Sequence, residues 1–348
     1  MNELRQLKYR ALEKRIGNVP LIPYEGQVPN NCTILLNAVC QNPFGSHYDY
    51  VYLALFKHFE EQGLITPGDT VLETSSGTAA ISFVMIGNFL GYHCHIVVPK
   101  GIDAVVINQL KHNAKKVEFT PEADYVNGFP TFLRSFLPNH PDIFFLNHSM
   151  GKRKKGGPGF SENPVTLKAM ARIVSEIDMS GIDYYVPAVG NGSSILGPVR
   201  WLKEQGLLNN PVHIVTFESV QSAVMFERLY PGRYRSIFSI DPGYLPKHKL
   251  RGTSYNGIDF PHIDSAVAEG LVTDSFLVTD RIMNAKYLLV TGEIMPVKLP
   301  SWDAGFLSGL EFGRSTRAGI AVCLELAKRM HDKTFLVNAY DKASRYDD

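Results

Sequence analysis

Two loops of glycine and hydroxyl residues have the composition of anion-binding sites. Residues 75–78, Ser-Ser-Gly-Thr, lie between a strand-like segment at 69–72 and the apolar helical pattern of residues 81–90. Residues 190–194, Gly-Asn-Gly-Ser-Ser, also join an apolar segment to a helical pattern. Glycine lets a backbone approach a ligand closely, and the N–H groups at a helix N-terminus attract negative charge. We therefore predict an anion site at each loop, with a phosphate at residues 190–194; glycine that serves packing alone is the alternative.

A third segment, residues 42–50, presents two side chains that can transfer protons. It reads Asn-Pro-Phe-Gly-Ser-His-Tyr-Asp-Tyr. Asn-Pro and the following glycine favour a turn, and Ser46 can cap the helix that the next apolar residues predict. The loop therefore leads into a helix and places His47 and Tyr48 at its start. Tyrosine has an unperturbed pKa near ~10, so Tyr48 is a poor base unless a neighbour lowers that pKa.

Strand-like and helical segments alternate along the chain in the order that builds a parallel sheet. Residues 69–72, 95–98 and 116–119 have the pattern of strands, and helical patterns separate them. Strands that are joined through helices pair in parallel, and right-handed crossovers place helices on the faces of the sheet. The predicted fold class is therefore α/β, with a mostly parallel sheet and helices on both faces.

The composition argues against several classes of partner. With 348 residues and 45% hydrophobic content, the chain can bury a large core and is long enough for two domains. A net charge of +1 provides no general attraction for nucleic acid or anionic membranes. The four cysteines form no Cys-x-x-Cys pair, and the adjacent His93, Cys94 and His95 point to alternate faces of a strand. We expect no metal site, no nucleic-acid partner and a reducing compartment.

The distribution of apolar residues bears on the location of the protein. No apolar run approaches the ~18 residues that a membrane span needs. The N-terminus is charged where a secretory signal would be apolar. We therefore expect a cytoplasmic protein without a membrane partner.

Residues 150–159 form a basic, glycine-rich run with the sequence Met-Gly-Lys-Arg-Lys-Lys-Gly-Gly-Pro-Gly. A run of this kind is most often a solvated loop. Alternatively, the run borders a ligand cleft and attracts an anionic substrate, since loops on a rigid scaffold often carry function.

Several segments, taken in order, resemble the cysteine synthase and cystathionine β-synthase branch of the fold type II pyridoxal-phosphate enzymes. Residues 16–21, Ile-Gly-Asn-Val-Pro-Leu, are similar to the family's Ile-Gly-Asn-Thr-Pro-Leu. Residues 42–50 are similar to its Asn-Pro-x-Gly-Ser-x-Lys-Asp-Arg, and residues 190–194 to its phosphate loop, Gly-Thr-Gly-Gly-Thr. The resemblance continues to Tyr346 and so covers nearly the whole chain.

This resemblance implies a two-domain fold and a pyridoxal-phosphate cofactor. The smaller α/β domain would span residues 48–147, and the larger would combine residues 1–47 and 148–348, with the ligand cleft between them. Members of the family bind small amino acids and are usually homodimers. Residues 290–310 are longer than the family's equivalent and are interpreted as an inserted loop.

The resemblance also assigns roles to individual residues. The phosphate loop corresponds to Gly190, Asn191, Gly192, Ser193 and Ser194. The loop that binds the substrate carboxylate corresponds to Ser75, Ser76 and Gly77, and the contact to the ring hydroxyl corresponds to Thr78. Ser315 holds the position of the serine that hydrogen-bonds the pyridine nitrogen. A serine there suits β-elimination and replacement better than transamination, because it cannot keep the ring nitrogen protonated as an aspartate can.

Tyr48 stands where the family has its Schiff-base lysine. A phenol cannot form an imine with an aldehyde, so the usual covalent link to pyridoxal phosphate is unavailable at this position. Thr78 replaces the family's asparagine, and Tyr50 replaces the arginine that follows the lysine motif. The reactive centre is therefore altered more than the phosphate and carboxylate loops, which is the pattern expected when binding is kept and the usual chemistry is lost or changed.

Three hypotheses about function follow. In the first, a pseudoenzyme binds pyridoxal phosphate, its amino-acid adduct or another phosphate ligand, and acts as a sensor or regulatory partner. In the second, a lyase or transferase acts on a preformed adduct of a serine-derived amino acid, with Tyr48 or His47 moving the proton. Its reaction would be β-replacement or elimination, as in cysteine or diaminopropionate synthesis. In the third, a lysine from elsewhere restores the imine; the candidates are Lys249, Lys152, Lys154 and Lys155.

Overall fold

The computed structural model describes residues 2–155, 159–209, 211–243, 258–278 and 311–347, together with the backbone of residues 288–290 and 295–297. In this part of the chain, helices alternate with the strands of two β-sheets. The helices are α1 (Glu3–Glu13), α2 (Tyr48–Glu61), α3 (Thr78–Leu90), α4 (Ala104–Asn113), α5 (Phe129–Phe136), α6 (Pro164–Ser175), α7 (Ser193–Glu204), α8 (Val224–Leu229), α9 (Arg233–Phe238), α10 (Pro261–Ala268) and α11 (Arg314–Ala327).

The smaller sheet is parallel throughout and lies between residues 70 and 145. Its strand order is β5 (Lys116–Thr120), β4 (His93–Pro99), β3 (Thr70–Thr74) and β6 (Phe144–Phe145). The register places Val71 of β3 beside Cys94 of β4 and Phe144 of β6. β4 is buried along its length except at its first residue, as expected for a strand that helices cover on both faces.

The larger sheet has a parallel centre and antiparallel edges. Its strand order is β1 (Leu21–Pro23), β2 (Thr33–Asn37), β12 (Thr334–Asn338), β7 (Tyr184–Tyr185), β8 (His213–Ser219), β9 (Asp274–Val278), β10 (Leu288–Val290) and β11 (Met295–Val297). The five strands from β2 to β9 pair in parallel, whereas β1, β10 and β11 pair antiparallel. The predicted α/β fold with mostly parallel sheets is confirmed, and the domain boundaries at residues 48 and 147 stay a prediction.

Helix α2 carries Tyr48, the residue at the position of the family's lysine. It begins at Tyr48, and the Oγ of Ser46 accepts the N–H of that residue at 3.0 Å. Ser46 therefore satisfies a free N–H at the helix start, as a capping hydroxyl does. Gly63 follows the helix with a φ of 68°, a left-handed conformation that commonly ends helices. The loop and its caps fix Tyr48 as the first residue of the helix.

The described residues contain neither a membrane-spanning helix nor a candidate metal cluster. None of the described helices combines the length and the apolar character needed to cross a bilayer. No cluster of three or more histidine, cysteine or acidic side chains suited to a metal ion occurs among them either. All four cysteines are free thiols and buried.

Candidate functional site

A cavity of about 1220 Å³ lies at the carboxyl end of the smaller sheet. The cavity is lined by the segments that follow β3, β4 and β6, which are residues 75–79, 102–103 and 146–153. Residues 159–165 and 190–191 also line it. Parallel α/β sheets bind ligands outside the carboxyl ends of their strands, and cavities of this order hold small molecules. The cavity is therefore the place where the predicted site residues can meet.

Tyr48 lines this cavity and is half-buried. Its ring centroid lies 4.3 Å from that of His47 and 5.4 Å from that of His148, which it meets edge-on. Burial is the main cause that raises the pKa of Tyr48, and Tyr340 and Glu73 add to it. The phenol therefore stays protonated at neutral pH, and the phenolate that could act as a base is even less populated than in free tyrosine.

His47, the other proton-transfer candidate in this loop, is buried beside Tyr48. Burial, and then electrostatic interactions with His148 and Arg345, lower the pKa of His47 to about 3. Its Nδ1 has no hydrogen-bond partner in the described part of the chain. His47 is therefore neutral at physiological pH and accepts a proton only at a large cost in free energy.

The loop before α2 is held by buried hydrogen bonds. The Ser82 hydroxyl donates to Oδ1 of Asp49 at 2.6 Å and lies 3.1 Å from the Ser46 hydroxyl. Oδ2 of Asp49 accepts the N–H of Phe44 at 2.8 Å. The guanidinium of Arg345 donates to the carbonyl of Phe44. These bonds connect the Tyr48 loop to α3 and to the C-terminal segment, so the loop is a rigid support.

The predicted carboxylate loop lines the cavity over its whole length. The Oγ of Ser75 accepts the N–H groups of Gly77 and Ala80, both at 3.1 Å, and so shapes the turn into α3. Ser76 and Gly77 are partly exposed to the cavity. The Thr78 hydroxyl donates to Oδ2 of Asp341 at 2.8 Å, which leaves its oxygen as the remaining acceptor.

The predicted phosphate loop reaches the cavity with Gly190 and Asn191. Asn191 Oδ1 accepts both the N–H and the hydroxyl of Ser193, at 2.9 and 2.6 Å, and thereby caps α7. Gly192 has a φ of 86°, and a Cβ there would lie 2.8 Å from the backbone nitrogen of Ile263. Glycine is therefore required at this turn for its conformation and for the packing of α10.

Three of the predicted cofactor residues are buried serines. Ser193 and Ser194 are buried in the first turn of α7, and Ser315 is buried in the first turn of α11. None of them is among the described residues that line the cavity. The structure thus brings Tyr48, residues 75–78 and residues 190–191 to one cavity, whereas neither Gly192 nor these three serines are among the described residues that line it.

Beside the cavity, the buried carboxylate of Glu73 pairs with His148, a contact that was not predicted from the sequence. The carboxylate of Glu73 accepts the backbone N–H of His148 at 3.0 Å and lies 3.2 Å from the Nδ1 of that residue. The Tyr52 hydroxyl lies 3.0 Å from the same nitrogen. Glu73 belongs to β3, and His148 follows β6, the neighbour of β3 in the sheet. The available signal was a carboxylate at the end of the predicted strand at 69–72; the short strand β6 before His148 was not predicted.

The lysines proposed as replacements differ in position. Lys152 is exposed and lines the cavity together with Arg153, so this part of the basic run borders the cleft. Lys154 and Lys155 are also exposed. Lys249 lies outside the described residues, as does most of the predicted insertion at 290–310.

The groups that line the cavity suit an anionic ligand held by hydrogen bonds better than a ligand held through an imine. The N-termini of α3 and α7 both begin in loops that line the cavity, and helix N-termini attract phosphate and carboxylate groups. Residue 48 offers a phenol in place of an amine. The residues present therefore fit a ligand with two anionic groups, bound without an imine at residue 48.

Sequence comparison relates this chain to a known family. The profile of the family described as pyridoxal-phosphate dependent enzyme matches residues 12–281. The chain is 25% identical, over 97% of its length and 82% of the other protein, to a Saccharomyces cerevisiae protein that carries the name of a mitochondrial cysteine synthase. It is 21% identical to the cysteine synthase of Aquifex aeolicus, over 92% of this chain and 84% of that one.

Solved structures share the fold at low sequence identity. A hydrogen sulfide-producing enzyme from Fusobacterium nucleatum superposes with a TM-score of 0.74 at 20% identity, covering 96% of this chain and 98% of that one. The O-acetylserine dependent cystathionine β-synthase from Helicobacter pylori gives 0.72 at 19% identity, covering 96% of each chain. At these identities the likeness establishes the fold alone.

Proposed function

Because the chain belongs to the pyridoxal-phosphate dependent enzyme family, we propose that its cavity binds pyridoxal phosphate, the adduct of that cofactor with an amino acid, or a similar phosphate ligand. We propose further that this binding is non-covalent at residue 48 and that the protein is a pseudoenzyme or regulatory partner with respect to cysteine synthesis. The observation that carries the proposal is Tyr48, which lines the cavity at the position that resemblance gives to the Schiff-base lysine.

The residues proposed to hold the ligand follow from the loops that meet at the cavity. The phosphate would be bound at the start of α7, by Gly190, Asn191, Gly192, Ser193 and Ser194. The carboxylate of the amino acid would be bound at the start of α3, by Ser75, Ser76 and Gly77. Thr78 would contact the ring hydroxyl, and Ser315 the ring nitrogen.

An amino acid attached to the cofactor would place its own carboxylate and side chain in the cleft. Pyridoxal phosphate, when bound to an amino acid, withdraws electrons from the Cα atom and makes its proton more acidic. The preference for a small, serine-derived amino acid rests on the similarity to cysteine synthases. The exposed Lys152 and Arg153 at the cavity favour an anionic ligand through their charge.

A charge change within the phosphate loop tests this proposal. Asn191→Asp retains an oxygen that can accept from Ser193 but adds a negative charge beside the proposed phosphate. Pyridoxal phosphate, or its borohydride-reduced serine adduct, should raise the melting temperature of the parent protein. At a ligand concentration about 100 times Kd, the stabilisation should be about 2.7 kcal/mol. In Asn191→Asp the shift should be largely lost.

A matched substitution controls for the added charge. Asn108→Asp introduces the same change on the exposed face of α4 and should retain the full ligand-induced shift. If neither ligand stabilises the parent protein, or if both variants respond alike, the assignment of a phosphate site to residues 190–194 fails.

A second candidate function is an enzyme whose imine is formed by a lysine outside the Tyr48 loop. The observation that favours it is the position of Lys152 at the cavity. The absorbance spectrum of the purified protein distinguishes the two functions. A band near the visible edge that survives dialysis and is fixed by borohydride would support the lysine and contradict non-covalent binding.

Other properties of the protein stay predictions. A homodimer and the two-domain division at residues 48 and 147 are proposed by analogy with the family. The cytoplasmic location also stays a prediction, and the yeast relative carries a mitochondrial name. Size-exclusion chromatography with light scattering measures the first of these properties.

A further inference from the structure

A buried carboxylate and an imidazole are joined at the carboxyl ends of two neighbouring strands. Glu73, the fourth residue of β3, has no solvent-exposed surface. Its carboxylate accepts the N–H of Thr74 at 2.8 Å and the N–H of His148 at 3.0 Å. The same carboxylate lies 3.2 Å from Nδ1 of His148, so the backbone and the ring of this residue are held by one partner.

Tyr52 completes the environment of the imidazole. Its hydroxyl lies 3.0 Å from Nδ1 of His148 and also hydrogen-bonds the Glu73 carboxylate. A tyrosine that donates to the carboxylate leaves its oxygen as an acceptor, so both neighbours of Nδ1 favour a hydrogen on that nitrogen. The buried carboxylate also stabilises the imidazolium that forms when the ring takes a second proton.

The other ring nitrogen is available to a ligand. His148 lines the cavity, and among the described residues Nε2 has no hydrogen-bond partner. The ring meets that of Tyr48 edge-on, with centroids 5.4 Å apart. An imidazole with hydrogen on Nδ1 carries its basic lone pair on Nε2. The lone pair therefore belongs to a side chain that lines the cavity, is 7% exposed and lies beside the residue that replaces the lysine.

Tyr48, His47 and His262 are less suited than His148 to act as a base. Burial raises the pKa of Tyr48 and lowers the pKa of His47 to about 3. His262 is fully buried, and its Nε2 already accepts the N–H of Asn163 at 3.1 Å. Of these groups, His148 alone combines a carboxylate partner with a nitrogen free for a ligand.

We propose that His148, oriented by Glu73 and Tyr52, removes the Cα proton of an amino acid bound in this cavity as its adduct with pyridoxal phosphate. In this step the Cα–H bond breaks, the proton moves to Nε2, and the electron pair stays on the ligand. His148 would be a catalytic residue, whereas Glu73 and Tyr52 would be positioning residues. The proposal rests on the proposed binding of that adduct and adds a reaction to it.

Hydrogen exchange at Cα tests the proposal on the full chain. The parent protein with pyridoxal phosphate and L-serine in D₂O should accelerate loss of the Cα proton signal in NMR over the same mixture without protein. Because general bases contribute about 10²–10⁴-fold, His148→Asn should reduce the protein-dependent rate by at least about a hundredfold. The reduced serine adduct, which needs no proton transfer, should bind the variant within a few-fold of the parent affinity. His112→Asn, an exposed change on α4, should alter neither quantity.

A second measurement tests the orientation of the ring without any ligand. Proton and ¹⁵N NMR of the parent protein should give a hydrogen-bonded Nδ1–H signal from His148. In Glu73→Gln the amide can donate to Nδ1, which would move the hydrogen to Nε2 and remove the base, so the tautomer signature and Cα exchange should be lost together. If His148→Asn does not fold, Glu73→Gln still tests the role of His148.

The outcomes separate this proposal from the binding function. A parent protein that binds the reduced adduct but does not promote exchange overturns the role of His148 and leaves the binding function intact. Exchange that persists in His148→Asn overturns it as well. Failure of the parent to bind the reduced adduct removes both proposals.

Discussion

Replacing Tyr48 by lysine should restore a covalent link to pyridoxal phosphate. Both side chains extend a similar distance from Cα, and the position is the first residue of α2, so the helix keeps its caps. The lysine would occupy a half-buried place beside His47 and His148. Partial burial lowers the pKa of a lysine, which favours the free amine that attacks an aldehyde.

The substitution has a cost that the structure allows us to estimate. The Tyr48 ring packs against those of His47 and His148 and, at a greater distance, that of Tyr52. The two nearer contacts contribute about 0.5–1.5 kcal/mol each. We expect Tyr48→Lys to lose about 1–3 kcal/mol of unfolding free energy, a modest fall in melting temperature that leaves a folded protein. Tyr48→Met, an unbranched side chain without an amine, is the control for lost aromatic packing.

The assay is the absorbance spectrum with added pyridoxal phosphate, followed by borohydride reduction and peptide mass spectrometry. Tyr48→Lys should gain a reducible chromophore, with the pyridoxyl group on residue 48, whereas the parent and Tyr48→Met should not. Full enzymatic activity is not expected, because misplacement of about 1 Å costs on the order of a hundredfold in rate. A folded Tyr48→Lys protein that never forms the chromophore would refute the placement of residue 48 beside the cofactor aldehyde.

Two further predictions concern the supports of the site. Burial raises the pKa of Asp49 from 3.8 to about 6, so its contribution to stability is complete below pH ~4 and is lost as the pH rises through about 6. Between about pH 4 and pH 7, the free energy of unfolding of Asp49→Asn in urea should therefore rise by about 3 kcal/mol relative to that of the parent. Parallel pH profiles of the two unfolding free energies would contradict this. Gly192→Ala should lose about 1–3 kcal/mol of unfolding free energy, which is more than Gly206→Ala should lose. Both glycines have left-handed backbones, but only a Cβ at residue 192 would meet the backbone of Ile263. Equal losses in thermal unfolding would mean that the loop adjusts its packing.

The parallel centres of both sheets follow from sequence features that act locally. Apolar runs such as β4 and β8 predict buried strands, and the helices between them impose parallel pairing. The antiparallel edge strands could not be predicted in this way. β1 and β11 have three residues each, too few for an alternating pattern, and their pairing depends on the chain segments that bring them to the edge.

The site was predictable where a loop follows a strand and leads into a helix. Residues 75–78 and 190–191 meet at the cavity because both follow strands and begin helices. The burial of Ser193 could not be read from the sequence, because it depends on the bond between Asn191 and the first turn of α7. The pairing of Glu73 with His148 required the strand order, since 75 positions separate them along the chain.

The replacement of lysine by Tyr48 separates two tasks that a Schiff-base lysine can combine. An amine at that position both forms the imine and can move the Cα proton, whereas the phenol of Tyr48 cannot form the imine and, with its raised pKa, is a poor base. Without that imine, an amino acid joins the cofactor through its own amine and the free aldehyde, with no lysine to exchange. Proton transfer then needs another group, and His148 with its buried carboxylate partner is placed beside the same tyrosine ring. Suppose that Tyr48→Lys forms the imine, and that His148→Asn loses Cα exchange in a chain that keeps Tyr48. Imine formation and proton transfer then reside on different residues of this chain.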